Sequence, residues 1–122
     1  MNNVVIVAAK RTPIGTFGGG LASLTAPELG ATALLEVIKS ANIPMDLVDE
    51  VVMGNVLSAG VGQAPARQAA LKAGLSERTP ATTVNKVCGS GMQTLIMGAE
   101  ALASGTVDYV IAGGMESMTN AP

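Results

Sequence analysis

The segment TTVNKVCGSGMQTLIMGAEALASG, residues 82–105, decides the fold of this chain. Its first part, Thr82–Val87, is short and rich in β-branched residues, which predicts a β-strand. Its second part, Gly89–Ser104, carries apolar residues at helical spacing and is followed by Gly105, which predicts a helix with a defined end. A strand that leads directly into a helix is typical of α/β folds with a parallel sheet.

The same alternation continues on both sides of this segment. Apolar runs predict further strands at Val4–Ala9, Glu50–Val56 and Asp108–Ala112. Two more helices are predicted, one opened by the capping-box pattern at Thr25–Glu28 and one that begins at Ala64-Pro65. We therefore predict an α/β fold with the element order βαβαβαβ and a mostly parallel sheet.

The third predicted helix is unusually apolar. Its apolar stripe consists of Met92, Leu95, Ile96, Ala99, Leu102 and Ala103. The opposite face is also nearly uncharged, and Glu100 is the only charged residue of the helix. A helix that is apolar on all sides is normally buried on all sides, and a domain of 122 residues can hardly achieve this alone. We expect this helix to pack against structure that the chain does not supply, so that the fold is incomplete on its own.

Composition excludes several classes of function. The chain has a net charge of −2, no cluster of Lys and Arg, one Phe, one Tyr and no Trp, which argues against nucleic-acid binding. It has no histidine, so a zinc site of Cys and His ligands is excluded, and an imidazole base would have to come from outside the chain. A single cysteine cannot form an internal disulfide. With no secretory signal and no long apolar stretch, we expect a cytoplasmic protein that does not enter a membrane.

The single cysteine, Cys88, lies at the carboxyl end of a predicted strand and at the start of the apolar helix. Active sites of parallel α/β sheets favour this end of the strands. The free N–H groups of a helix N-terminus stabilise a thiolate and can hold an oxyanion, and Gly89 and Gly91 allow a substrate to approach the backbone. Cys88 is therefore a candidate nucleophile. The alternative is a small buried core residue, which is common for an unpaired cysteine.

Five segments of the chain resemble the thiolase family, in the order expected for that family. They are VVIVAAKRTPIG at 4–15, GNVL at 54–57, QAPARQA at 63–69, NKVCGSGM at 85–92 and IAGGMESM at 111–118. Within the family, the motifs are most similar to those of acetyl-CoA acetyltransferases. The resemblance implies that residues 1–122 form the N-terminal part of a thiolase N-terminal domain, up to the start of the loop domain.

The resemblance also implies a function. Cys88 corresponds to the family's nucleophile, which accepts an acyl group from a thioester, and its backbone N–H corresponds to an oxyanion-hole donor. The implied substrates are acetyl-CoA and acetoacetyl-CoA, with no bound cofactor or metal, and the implied partners are the remainder of the polypeptide and further copies in a homodimer or tetramer. Because the family's histidines and second cysteine lie later in its sequence, we expect the isolated chain to be inactive.

Three alternatives remain open at this stage. The chain can belong to a 3-ketoacyl-CoA thiolase for longer acyl groups, to a ketoacyl synthase that decarboxylates its donor, or to a non-catalytic fragment in which Cys88 is a core residue. Among other residues, Glu116 is expected to be a buried hydrogen-bonding partner that orders the site. Arg67 and Gln68 are expected at a subunit contact, and Lys86 is not expected to contact the thiol, because neighbours on a strand point to opposite faces.

Overall fold

Three parallel strands form the sheet of the chain, for which a computed structural model describes residues 3–122. The elements in chain order are helix α1 (Ala26–Ala41), a short 3-10 helix (Met45–Leu47), strand β1 (Glu50–Gly54), helix α2 (Pro65–Lys72), strand β2 (Ala81–Val84), helix α3 (Ser90–Ala103) and strand β3 (Val110–Gly114). The strand order is β2-β1-β3. The α/β class and the parallel sheet are confirmed. None of the helices in residues 3–122 is long and apolar enough to cross a membrane.

Strands β1 and β2 end earlier than the sequence predicts, whereas β3 continues to Gly114, two residues beyond the predicted end at Ala112. Strand β1 ends at Gly54, which lies opposite Val84 of β2 and Gly114 of β3. Beyond Val84 the chain leaves the sheet in a tight turn over residues 85–89, so the predicted extension of β2 to Val87 is wrong. All three strands therefore end at one level, and the turn that carries Cys88 begins there.

The predicted first strand, Val4–Ala9, is not part of the sheet. These residues have no strand partner among residues 3–122, and the side chains of Val5, Ile6 and Val7 are 72%, 79% and 65% exposed. An apolar, β-branched run favours a strand, but a strand also needs a neighbouring backbone that completes its hydrogen bonds. The described residues supply no such neighbour, so the sheet has three strands rather than the predicted four.

Helix α1 begins as its sequence predicts. Thr25 is the N-cap, and its Oγ1 accepts a hydrogen bond of 3.4 Å from Glu28 N. In return, Thr25 N donates to Glu28 Oε2 at 2.8 Å, which completes the capping box. The helix ends at Ala41, and its C-cap, Asn42, adopts a left-handed conformation at φ 53°. These contacts satisfy backbone groups that the helix ends leave unpaired.

Helices α1 and α2 cover one face of the sheet. The buried residues that form this core include Leu34, Ile38, Val51, Met53 and Ala69. Gly30 of α1 allows the close packing, because a Cβ there would lie 2.7 Å from the sulfur of Met115 and 3.3 Å from Cβ of Ala69. This layer therefore covers one face of β1, the central strand of the sheet.

Helix α3 covers the other face and turns its small side chains toward the sheet. Ser90, Thr94 and Gly98 are buried, and a Cβ on Gly98 would lie 3.1 Å from Val110 Cγ1. The large residues of the apolar stripe point away, and Met92, Leu95 and Ile96 are 70%, 51% and 45% exposed. The described residues thus bury one side of α3, and the cover expected for its other side stays a prediction.

Asp49 joins the start of β3 to the start of β1. Its Oδ2 accepts hydrogen bonds from Asp108 N at 2.8 Å and from Tyr109 N at 3.0 Å. The backbone N–H of Tyr109, followed by that of Asp108, lowers the pKa of Asp49 from its ordinary value of 3.8. The charged carboxylate is therefore the form that the folded chain stabilises.

Replacement of this carboxylate should change how stability depends on pH. Because the pKa of Asp49 is lowered by folding, its contribution is complete above pH ~4 and is lost as the pH falls through the folded pKa. We expect Asp49→Asn to be less stable than the wild type at neutral pH and to lose less stability on acidification. Urea denaturation at a series of pH values measures both. Asp46→Asn, at an exposed position in the 3-10 helix, is the control and should behave like the wild type. Parallel acid profiles for wild type and Asp49→Asn would contradict the assignment.

Candidate active site

Cys88 lies on a tight turn between β2 and α3 and its side chain is exposed with a free thiol. Helix α3 begins at Ser90 with Gly89 as its N-cap, so Cys88 directly precedes the cap. The sequence placed the helix start at Gly89, one residue earlier. The structure therefore brings the candidate nucleophile to the carboxyl end of the parallel sheet and to the N-terminus of α3. Its thiol is exposed within residues 3–122, and the choice between a nucleophile and a core residue of a larger assembly stays a prediction.

Two side chains hold the turn closed. Ser90 Oγ accepts a hydrogen bond of 2.9 Å from Lys86 N and donates one of 2.6 Å to Val87 O. Asn85 Oδ1 accepts a hydrogen bond of 2.9 Å from Val87 N. The backbone adds Gly89 N to Lys86 O at 3.0 Å. Both ends of the turn are therefore fixed on either side of Cys88.

Val87, immediately before the cysteine, has a left-handed backbone conformation with φ 48°. This conformation is unfavourable for a β-branched residue, because its side chain crowds the backbone. Such conformations persist only where the surroundings enforce them, and the hydrogen bonds of Ser90 and Asn85 to Val87 supply that constraint here. The strained turn presents the Cys88 side chain outward instead of continuing the strand.

The first turn of α3 lies directly on the ends of the strands. A Cβ on Gly54 would lie 2.8 Å from the carbonyl carbon of Ser90 and 2.9 Å from Gly91 N. A Cβ on Gly114 would lie 3.5 Å from Gly91 Cα. Thr94 Oγ1 lies 2.7 Å from Gly91 O and 2.9 Å from Gly113 O, so its hydroxyl links the helix to β3. Ser90, Thr94 and Gly54 are site-forming residues that the sequence analysis did not identify.

Glu116 follows β3 and accepts three hydrogen bonds. Its Oε1 accepts from Asn55 Nδ2 and from Leu57 N, both at 3.0 Å, and its Oε2 accepts from Val56 N at 2.9 Å. The expected hydrogen-bonding role is thus confirmed, although the side chain is only half-buried. Asn55, which is buried, was not identified from the sequence. The sequence did contain a signal, since GNVL and GGMESM both span the carboxyl ends of strands, and these ends meet at one edge of a parallel sheet.

Other residues singled out by the sequence lie elsewhere. Arg67 donates to Glu77 O at 3.2 Å, and Gln68 donates to Val61 O and Gln63 O, so both brace loops around α2. Their role at a subunit contact stays a prediction. Lys86 Nζ donates to Gln93 Oε1 at 2.9 Å, on the side of α3. In the described part of the chain, no cluster of three or more acidic or cysteine side chains is placed to hold a metal ion.

The contact between Gly54 and α3 can be tested by adding one methyl group. We expect Gly54→Ala to lower the free energy of unfolding by about 1–3 kcal/mol, because the new Cβ overlaps the backbone of Ser90. Gly91→Ala is the matched control, since a Cβ there meets no atom within 4 Å and alanine favours a helix over glycine. Urea denaturation followed by circular dichroism measures both variants. Equal stability of Gly54→Ala and the wild type would show that α3 does not rest on Gly54.

Comparisons with known proteins agree with this architecture. The mitochondrial acetyl-CoA acetyltransferase of Xenopus tropicalis is 55% identical over 122 residues, which is 100% of this chain and 29% of that protein. The acetyl-CoA acetyltransferase of Cupriavidus necator is 52% identical over the same length, or 31% of that protein. The crystal structure of Acat5 thiolase from Ascaris suum in complex with coenzyme A matches with a TM-score of 0.93 and 44% identity, covering 95% of this chain and 30% of that one.

The chain thus spans less than a third of the length of these relatives. The family model described as the thiolase N-terminal domain matches residues 4–122. This match covers nearly the whole chain and includes all five sequence segments noted above. The chain therefore belongs to the thiolase family.

Proposed function

We propose that this chain is the nucleophile-bearing part of an acetyl-CoA acetyltransferase. The observation that carries the proposal is the position of Cys88, exposed on a strained turn at the carboxyl ends of the strands and at the N-terminus of α3. An identity of 52–56% to proteins named acetyl-CoA acetyltransferase supports the choice of reaction. That reaction joins two molecules of acetyl-CoA to give acetoacetyl-CoA and free CoA, and it is reversible.

Cys88 would carry the acyl group between the two halves of this reaction. In the first half, its thiolate attacks the carbonyl carbon of acetyl-CoA, and CoA leaves with a proton, so that an acetyl thioester remains on Sγ. In the second half, a second acetyl-CoA loses a proton from its methyl carbon, and that carbon displaces the cysteine to form acetoacetyl-CoA. The positive end of the α3 dipole is suited to the negative charge that develops on the attacked oxygen. Gly89 N and Ser90 N already donate to Lys86 O and Val87 O, and the thiolase resemblance implies that Cys88 N is a donor to that oxygen.

Both halves need a base, which must come from outside the chain. The thiolase resemblance assigns this role to histidine and to a second cysteine, and the sequence has neither. An adjacent base is a common way to activate a cysteine nucleophile. In our proposal the base belongs to the remainder of a thiolase polypeptide, and residues 1–122 are the N-terminal part of its N-terminal domain, up to the loop domain. The exposed apolar residues Met92, Leu95 and Ile96 of α3 offer a surface for that remainder.

The wider setting is also part of the proposal. CoA thioesters act as substrates and no bound cofactor takes part, since acyl transfer through a cysteine needs neither a redox group nor a metal. The assembly is a homodimer or a tetramer. A reducing compartment such as the cytoplasm keeps the Cys88 thiol free, although relatives named as mitochondrial show that the family also works in that organelle.

Acylation of Cys88 is the direct test. The assembly that contains this chain and the remainder of a thiolase polypeptide is mixed with acetyl-CoA, and the Cys88 peptide is examined by mass spectrometry. We expect an acetyl adduct on Cys88, and Cys88→Ala should lose the adduct and lower the rate of condensation on the order of 10⁴-fold or more. Ser40→Ala, on the exposed side of α1, is the control and should keep both. The isolated chain should show no condensation.

The outcome also separates the alternatives. Bound CoA without an adduct on Cys88 would contradict the mechanism. An adduct that forms from malonyl but not from acetyl donors would favour a ketoacyl synthase. A clear preference for longer acyl groups would keep the mechanism and replace acetyl-CoA as the substrate. If Cys88→Ala retained full activity, the chain would be a non-catalytic part of its assembly.

A further inference from the structure

The carboxylate of Glu116 is the meeting point of the loop after β1 and the end of β3. Three N–H donors converge on it, from Asn55 Nδ2, Val56 N and Leu57 N, at 2.9–3.0 Å. Within residues 3–122, the hydrogen bonds of this carboxylate therefore all come from residues 55–57. A carboxylate only accepts hydrogen bonds, and with two oxygens it can serve all three donors. A glutamine at this position would turn an NH₂ group toward one of them.

The orientation of the Asn55 side-chain amide shows that its hydrogen bond to the Glu116 carboxylate outweighs an unfavourable feature. Asn55 is buried, and its Nδ2 donates to Glu116 and also to Met115 O at 3.2 Å. In this orientation the other side-chain atom, Oδ1, is buried without a hydrogen-bond partner among the described residues. A buried acceptor without a partner is unfavourable, so the two bonds made by Nδ2 outweigh that loss. The amide is held by the residues that follow β3.

The residues held by Glu116 continue directly into the site. Asn55 N donates to Val84 O at 3.0 Å, which is the last contact before the turn that carries Cys88. Gly54, the preceding residue, packs against the backbone of Ser90. Ser90 in turn holds Lys86 and Val87 through its hydroxyl. Two short routes therefore connect the loop after β1 to the two ends of the Cys88 turn.

We infer that Glu116 is a positioning residue for Cys88, acting through residues 54–55. The inference rests on the proposed function, because it assigns Glu116 to the same acyl-transfer site. Glu116 takes no part in a chemical step. It holds residues 55–57 and thereby the adjacent Gly54. Gly54 and Asn55 in turn set the positions of the first turn of α3 and of the end of β2. The thiol sits between those two points, so a shift in either of them moves Sγ relative to the thioester.

The test compares three variants of the assembly that contains this chain and the remainder of a thiolase polypeptide. Glu116→Gln replaces one accepting oxygen with a donating NH₂ group, and Glu116→Asp keeps both accepting oxygens on a shorter side chain. Glu36→Gln removes an exposed charge on α1 and is the control. Two measurements are made on each, the single-turnover rate of Cys88 acetylation by acetyl-CoA and the hydrogen exchange of segments 55–57 and 85–91. The concentration of acetyl-CoA at half-maximal rate is recorded with the first.

We expect Glu116→Gln to slow acetylation about 10- to 100-fold, the size of effect that follows from misplacing a reacting group by about 1 Å. The half-saturating acetyl-CoA concentration should stay within about twofold, because no contact with CoA is removed. Exchange should rise in both segments. Glu116→Asp should recover part of the rate, and Glu36→Gln should match the wild type in every measurement.

Faster exchange in 55–57 alone, with 85–91 and the acetylation rate unchanged, would overturn the inference and make Glu116 a local brace. A rise in half-saturating concentration that accounts for the whole loss of rate would also overturn it. If wild-type Cys88 takes no acetyl group, the proposed function fails, and exchange in 85–91 alone decides the inference. The two failures are therefore distinguishable.

Discussion

The close contact between Gly54 and the first turn of α3 is the constraint on which the site depends. With no side chain on Gly54, the backbone of Ser90 can rest directly on the end of the central strand, where even a single Cβ would lie 2.8 Å away. Ser90 can then reach back to Lys86 and Val87 and close the turn around Cys88. The position of the thiol thus follows from the absence of an atom at one strand position. The left-handed Val87 is a consequence, because the chain must reverse direction within a few residues to enter the helix.

The same preference for small residues continues along α3. Thr94 and Gly98 face the sheet, and the space that they leave is filled by β3, whose Val110 approaches Gly98 closely. A helix that contacts its own sheet through small residues leaves its large apolar residues on the other side. Met92, Leu95 and Ile96 are therefore exposed here because of how the helix meets the sheet. Burial of these residues contributes favourable free energy to the binding of any structure that covers the second side of α3.

Local features of the fold were predictable and contacts distant in sequence were not. Thr25 and Glu28 are three residues apart, so the sequence alone predicts their capping box. It also predicts the strand–helix alternation around Cys88. The periodicity of α3 gave its apolar stripe but not which side would face the sheet. Val4–Ala9 failed as a strand because pairing depends on a neighbour rather than on its own residues. Glu116 was expected to be a hydrogen-bonding partner, but its donors in residues 55–57 were not predictable, since only the sheet brings those segments together.

Under the proposed function, the division of α3 into two sides also explains how a chain without histidine can carry a nucleophile. One side of the helix belongs to the sheet, which fixes the position of Cys88 through Ser90 and Gly54. The other side is apolar from the first turn of the helix, where Met92 lies two residues after Ser90. Its exposed apolar side chains would be buried by a further structural element. Any structure that covers this side comes near the helix N-terminus, and hence near the thiol, without crossing the sheet. Folding and catalysis would then impose the same requirement, since the surface that completes the core also brings the base.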